Sequence, residues 1–200
     1  MTKASLPVIL LAAGASSRMR GRDKLMEDVD GQPLLRRQTR VAQSVGPVMV
    51  ALPPAPHPRY TALTGLDITP LPIPDAAEGM GASLRRAFAA LPPDTAAAMV
   101  MLADMPDLEP SDLACLAASV DLSSETLVWR AATEDGRPGH PIIFAAALFD
   151  QLKRLSGDDG GRAVVHGAGA RVQMVPLPGQ RARLDLDTPE DWAAWRKPQR

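Results

Sequence analysis

Four cations fall within seven residues, Arg18, Arg20, Arg22 and Lys24, in the stretch LAAGASSRMRGRDK that spans Leu11 to Lys24. Small residues at Ala12, Ala13 and Gly14 let a ligand approach the backbone, where successive amides can cradle phosphate oxygens. Arginine adds a forked donor and lysine a point charge, both suited to phosphate. The plainer alternative is a solvated surface turn, since charge runs are usually solvated. Two familiar phosphate signatures are absent: there is no G-x-G-x-x-G, and Lys24 is followed by Leu25 rather than by Ser or Thr.

Carboxylates are the second candidate group. Asp104 closes the most apolar run of the chain, AAAMVMLAD, and precedes Met105-Pro106. A carboxylate at the end of a strand can serve Mg²⁺, which takes oxygen ligands, one or two of them carboxylates, together with substrate phosphates. The alternative is a turn or cap residue. Asp185 and Asp187 alternate in DLDTPEDW; read as a strand end, they point to opposite faces, so one of them can join Asp104. Glu190 and Asp191 belong to the first turn of the following helix, where negative charge is favoured.

Two glycine-rich segments carry further polar groups. RPGHPIIF presents Arg137 and His140, the histidine in an exposed-turn context between Gly139 and Pro141. GDDGGR presents Asp158 and Arg162 at a helix start, where backbone amides suit an anion. The lone Cys115 excludes an intrachain disulfide and reads as a small core residue. His57 and His166 read as structural or surface residues.

The elements that must position these groups alternate. Leu6–Ala13 is strand-like, and PLLRRQTRVAQSV is helical with Pro33 at its first position. PVMVALPP is a strand, RYTALTG a short helix, and DITPLPI a proline-interrupted edge strand. GASLRRAFAAL is a helix stopped by Pro92 and Pro93, AAAMVMLAD a central parallel strand, and PSDLACLAASV a helix. TLVWRAA and HPIIF form strands around TEDGRPG; AAALFDQLKRLS and GGRAVVHGAG are helices, and RVQMVPLP is a strand. The last helix opens with Thr188 at its N-cap, Pro189 at N1 and Asp191 at N3. The order predicts a three-layer α/β/α Rossmann-like sandwich with a mostly parallel sheet and one small antiparallel excursion. Ligands of such sheets sit beyond the carboxyl ends of the strands, which is where the cationic loop and Asp104 fall.

Two hundred residues suit one domain, 1–200 with a core of roughly 5–196. The net charge of −1 offers no global field for nucleic acid or membrane, so an anion site must be local. No run approaches the roughly 20 apolar residues of a membrane span, and the start lacks a cleavage-site pattern, which places the chain in the cytoplasm.

LAAGASSRMRGRDKL resembles the signature loop of nucleotidyltransferases with the nucleotide-diphospho-sugar transferase fold, and within them the MobA-like molybdenum cofactor cytidylyl- and guanylyltransferases. GQPLLRR, EGMGASL, LADMP, RPGHPIIF, GDDGGR and DLDTPEDW resemble that family's later segments, in its order and over nearly the whole chain. The resemblance implies that Leu11, Ala12, Ala13, Gly14 and Ser16 line a nucleotide, with Arg18 and Lys24 on its triphosphate. It implies that Gly81 and Ser83 meet ribose and base, that Asp187 joins Asp104 on Mg²⁺ with Asp185 in reserve, and that Lys24, Arg18 and Asp104 are catalytic. Arg137, His140, Asp158 and Arg162 then lie near the acceptor. Arg20 before Gly21 lengthens the spacing to the lysine relative to some members, which leaves open whether Arg20 or Arg22 faces phosphate. Ala13, where the guanylyl branch more often has glycine, favours CTP. The implied reaction transfers CMP to the phosphate of molybdopterin with release of pyrophosphate, and the product would pass to a molybdenum enzyme or its accessory protein. The alternatives are guanylyl transfer, transfer to another small phosphorylated acceptor, and a non-catalytic cofactor carrier.

Overall fold

The computed structural model describes residues 6–157 and 160–197. The apolar run before the cationic loop forms β1 (Val8–Leu11). After the loop come a two-residue ribbon, β2 (Asp28–Val29) and β3 (Gln32–Pro33), and then α1 (Leu34–Gln43). The ribbon turns at Asp30 (φ 53°) and Gly31 (φ 80°). Two successive positive φ values are the demand of a tight hairpin turn, and an Asp-Gly pair meets it. There follow β4 (Val48–Leu52), α2 (Pro58–Ala62), β5 (Thr69–Pro72), α3 (Met80–Ala89) and β6 (Ala97–Leu102). The remainder comprises α4 (Pro110–Ala118), β7 (Val128–Ala132), β8 (Pro138–Ala145), α5 (Phe149–Leu152), α6 (Arg162–Ala168), β9 (Val172–Pro176) and α7 (Pro189–Trp195).

Seven strands form one sheet in the order β5-β4-β1-β6-β8-β7-β9. The pairs β4–β5, β1–β4, β1–β6 and β7–β9 are parallel; β8 runs against both of its neighbours. The proline-bearing β5 sits at an edge, where missing amide donors cost no ladder bond. Alternation along the central strands feeds two apolar layers. Val8, Leu10, Met99 and Met101 face a core shared with α1, α4 and α7. Ile9, Ala98 and Val100 face another shared with α3, α5 and α6. This is the expected sandwich, and its continuous apolar central strands follow from being covered on both faces. No described helix is long and apolar enough to cross a membrane.

Three local expectations are corrected. Cys115 is exposed, because α4 turns Asp112, Leu113 and Leu116 inward and leaves the sulfur on its outer face. His140 lies within β8 rather than in an exposed turn. Residues 184–187 form no strand.

Because β8 is reversed, its start lies at the same sheet edge as the end of β6: Val100 pairs with Ile142. The loop after β1, the turn after β6 and the beginning of β8 therefore gather at one rim.

Candidate active site

The loop after β1 is a rigid structure. Met19 plugs into the core and is fully buried. Ser16 and Arg20 both take φ 53°, the left-handed region that non-glycine residues seldom occupy, so the loop needs firm support. Arg59, from the start of α2, provides it. Its guanidinium is 2% exposed; Nε and Nη2 donate to the two oxygens of Asp23 at 2.8 and 2.7 Å, Nη1 to the Ala12 carbonyl at 2.6 Å, and Nη2 also to Ser16 Oγ at 3.2 Å. Asp23 in turn accepts from the Leu25 amide at 3.0 Å, and Ser16 Oγ from the Lys24 amide at 3.3 Å. Burial raises the Asp23 carboxyl, but the bonds and charge of Arg59, with the Leu25 amide and Ser16 hydroxyl, outweigh it and hold the group below its ordinary 3.8. A buried, fork-to-fork pair 36 residues apart in sequence thus sets where Lys24 leaves the loop.

Lys24 reaches across the rim. Its ammonium donates to Asp104 Oδ2 and, at 2.7 Å, to Asp187 Oδ1; Arg18 reaches Asp187 Oδ2 at 2.7 Å. Burial opposes the charge of Lys24, but the two carboxylates outweigh it and hold the ammonium above its ordinary 10.5. Asp104 is fixed from behind: Arg37 and Gln38 of α1 both donate to the Pro106 carbonyl, the latter at 3.2 Å. The other carboxylates come from the segment before α7. Leu186 is buried and its amide donates to the Asp104 carbonyl at 3.1 Å, while the Asp187 and Thr188 amides donate to Asp191, whose own amide donates to Thr188 Oγ1. The segment is held by a core plug and a helix cap, not by a ladder, so strand alternation does not apply. Both Asp185 and Asp187 consequently join Asp104, with carboxylate oxygens within 4.8 Å of one another. Burial, then the charges of Asp104 and Asp187, raise the Asp185 carboxyl; Asp187 is lowered, because bonding and charge from Lys24 outweigh its burial.

This cluster divides two cavities. One, about 310 Å³, is lined by Leu11, Ala12, Ala13, Gly14, Lys24, Met80, Ser83 and Asp104 among others. A Cβ on Gly14 would meet nothing within 4 Å, which marks open space beside that backbone. The other, about 500 Å³, is lined by Leu102, Arg130, His140, Arg162, Arg183 and Asp185 among others. Leu102 belongs to both walls.

The candidate residues sort as follows. Leu11, Ala12, Ala13, Gly14, Ser83, Lys24 and Asp104 share the first cavity, and His140 and Arg162 the second. Ser16 faces its own loop's network rather than the first cavity. Gly81 is packed away from it: its amide donates to the Gly157 carbonyl, and an added Cβ would lie 2.6 Å from that oxygen. Arg137 is turned onto Asp135 and Gln180 at the hairpin surface, because both are within its reach there. Asp158 lies outside the described residues. Arg20 pairs with Glu190 at 2.6 Å and Arg22 with Glu27 at 3.1 Å; Arg22 also lines a smaller cleft with Gly14 and Ser16, on the Arg59 side of the loop. Sequence reading missed Arg59, Arg130 and Arg183. Nothing local marks an arginine whose partners are distant in sequence.

A mostly parallel sheet carrying a cationic loop and a carboxylate cluster at one rim has the layout of a nucleotidyltransferase-type domain. Residues 8–174 match the MobA-like NTP transferase domain, and the chain belongs to that family. A curated relative from Synechococcus elongatus, named probable molybdenum cofactor guanylyltransferase, is 29% identical over 190 residues, covering 92% of this chain and 95% of its own. The crystal structure of Rv0371c from Mycobacterium tuberculosis superposes with a TM-score of 0.82 at 29% identity, covering 97% of this chain and 98% of that one. A manganese complex of the same protein gives a TM-score of 0.78 at 26% identity, covering 95% and 97%.

Proposed function

We propose that this nucleotidyltransferase moves a nucleoside monophosphate from a ribonucleoside triphosphate onto the phosphate of a molybdopterin-type acceptor. The observation that carries the reading is the ammonium of Lys24 seated on Asp104 and Asp187, at the point where the two cavities meet. An acceptor phosphate oxygen attacks the α-phosphorus, a P–O bond forms, and the α–β bridging bond breaks with its electron pair leaving on pyrophosphate. A phosphate monoester has its second pKa near ~6, so the nucleophile is already dianionic at neutral pH and the step needs no proton acceptor. Lys24 and Arg18 hold the polyphosphate, and Arg59 with Asp23 keeps Lys24 in register. Positioning and charge stabilisation then supply the rate.

Asp104, Asp187 and Asp185 fit a divalent cation. Their oxygens are clustered, Asp104 Oδ1 is buried without a hydrogen-bond partner, and a protein cation already occupies the gap between two of them. All three are hard oxygen donors, the chemistry Mg²⁺ and Mn²⁺ prefer, and the manganese complex of the mycobacterial relative agrees. When bound there the ion would neutralise charge developing on the phosphate oxygens. A pure carrier would have no use for this cluster.

For the base, CTP is favoured by Ala13, which stands in the wall of the first cavity where the guanylyl branch more often has glycine. GTP is the second reading, favoured by the guanylyltransferase name of the Synechococcus relative. Thermal shift with each of the four ribonucleoside triphosphates plus Mg²⁺ tests both. A cytidine-selective rise supports the first, a guanosine-selective rise replaces it with the second, and no rise with any triphosphate removes the reading altogether. Pyrophosphate release on adding acceptor distinguishes turnover from carriage.

A further inference from the structure

The second cavity contains an unusual concentration of positive charge. Arg130, Arg162 and Arg183 all line it, and no described carboxylate lies within 4 Å of any of the three guanidinium groups. Burial, then the charges of Arg162 and Arg183, push the Arg130 guanidinium below its ordinary value, and its Nε donates to the Gly139 carbonyl at 3.0 Å. His140 stands beside them with Nδ1 out of solvent and without a hydrogen-bond partner. Burial and then Arg130 push its imidazole down to about 4, so at neutral pH it adds no charge but offers a buried polar atom still to be satisfied. Asp185, on the same wall, joins this cavity to the carboxylate cluster.

Clustered guanidinium groups cost electrostatic energy unless an anion sits among them, and forked donors match phosphate geometry. We propose that Arg130, Arg162 and Arg183 form the seat of the acceptor's phosphate dianion, and that they select phosphomonoester acceptors over the corresponding alcohols. The inference deepens the nucleotidyl-transfer reading and rests on it. Arg130 and Arg183 come from β7 and from the segment before Asp185, and neither was marked by its local sequence. The seat gives the acceptor phosphate a dedicated place beside Asp185, separate from the Lys24 side where the triphosphate lies. Arg162 and Arg183 are exposed, so their replacement by glutamine leaves the core untouched.

The test uses phenyl phosphate and phenol as probes. Calorimetric titration is done on the full chain with Mg²⁺ and a saturating α,β-methylene analogue of CTP or GTP, so that the nucleotide side is filled. Wild type should bind phenyl phosphate and not phenol. Arg162→Gln and Arg183→Gln should each weaken phenyl phosphate by 10-fold or more while the analogue's own affinity stays within twofold, and Arg130→Met should do the same. Phenyl phosphate affinity within twofold of wild type in all three variants, or equal binding of phenol, overturns the seat. Failure of wild type to bind any triphosphate analogue would instead remove the nucleotidyl-transfer reading. Phenyl phosphate binding that still depended on the three arginines would then survive as an anion site.

Discussion

The two sides of the rim hold their positive charge in opposite ways. On the loop after β1 every cation of the Arg18–Lys24 run has a carboxylate partner: Asp187, Glu190, Glu27 and the Asp104–Asp187 pair. In the cavity beneath β8 three arginines share a wall without one among the described residues. The paired side is self-neutralised and preorganised; a ligand there must exchange partners, displacing carboxylates from Lys24 and Arg18. On the other side the arginines need not exchange a carboxylate partner among the described residues, and Asp185 is the acidic residue named on their wall. A sequence shows only that cations are present. Which of them are already satisfied is a property of the fold.

Breaking the paired side at its centre should have the largest effect. Lys24→Met or Asp104→Ala is expected to lower turnover, read as pyrophosphate release, by ~100-fold or more, with the far-UV circular dichroism unchanged. If both variants keep near wild-type rates, the division of roles between the two sides is wrong. Lys24→Met should also tighten Mn²⁺ binding to the nucleotide-free protein, because it removes the internal cation that competes for Asp104 and Asp187.

Removing the brace beneath the loop comes next. Asp23→Ala strands the buried Arg59 charge and should cost about 3–5 kcal/mol, seen as a thermal midpoint lower by roughly 10 °C. Arg59→Lys keeps a charge opposite Asp23 but loses the fork, and should retain part of the stability and little of the turnover. An acid titration of stability sharpens this further. The folded Asp23 carboxyl lies below its ordinary 3.8, so its contribution is complete above that value and disappears as pH falls through the lowered one. Asp23→Asn should remove that part of the acid sensitivity from chemical-denaturation curves, and unchanged curves would show that the pair contributes nothing there.

Smaller effects separate packing from chemistry. Gly81→Ala would place a methyl 2.6 Å from the Gly157 carbonyl and should cost about 1–3 kcal/mol without a change in nucleotide selectivity. A selectivity change would return Gly81 to the nucleotide's wall. Thr188→Ala removes the cap of α7 and should cost about 1 kcal/mol in denaturant unfolding, with a modest loss of rate through Asp187; an unaltered rate would separate the cap from the site.

Much of this was legible from local pattern. Apolar runs flanked by helices predicted the sandwich, and Asp104 read as a rim residue because it ends the most apolar strand. Thr188, Pro189 and Asp191 read as a helix start because capping depends on neighbouring residues alone. What stayed hidden depends on distant partners. Arg59 looks like a surface helix residue until Asp23 is folded against it. Arg137 looks like an acceptor ligand until Asp135 and Gln180 claim it, and Arg130 like a strand residue until Arg162 and Arg183 converge on it. The opposite faces read for Asp185 and Asp187 did not hold, because an extended stretch outside any ladder need not keep a strand's alternation.

The carboxylates before α7 follow all nine strands in chain order and stand on the cap of a seven-residue helix. The sheet can therefore be complete while the site is not. A chain trimmed after β9 would keep every strand and its cationic loop, but it would lose the buried Leu186 and Trp192 from one apolar layer, and Lys24 and Arg18 would face Asp104 alone. The C-terminal helix thus works as a keystone twice over, closing one apolar layer with Trp192 and holding carboxylates for a loop near the opposite end of the sequence.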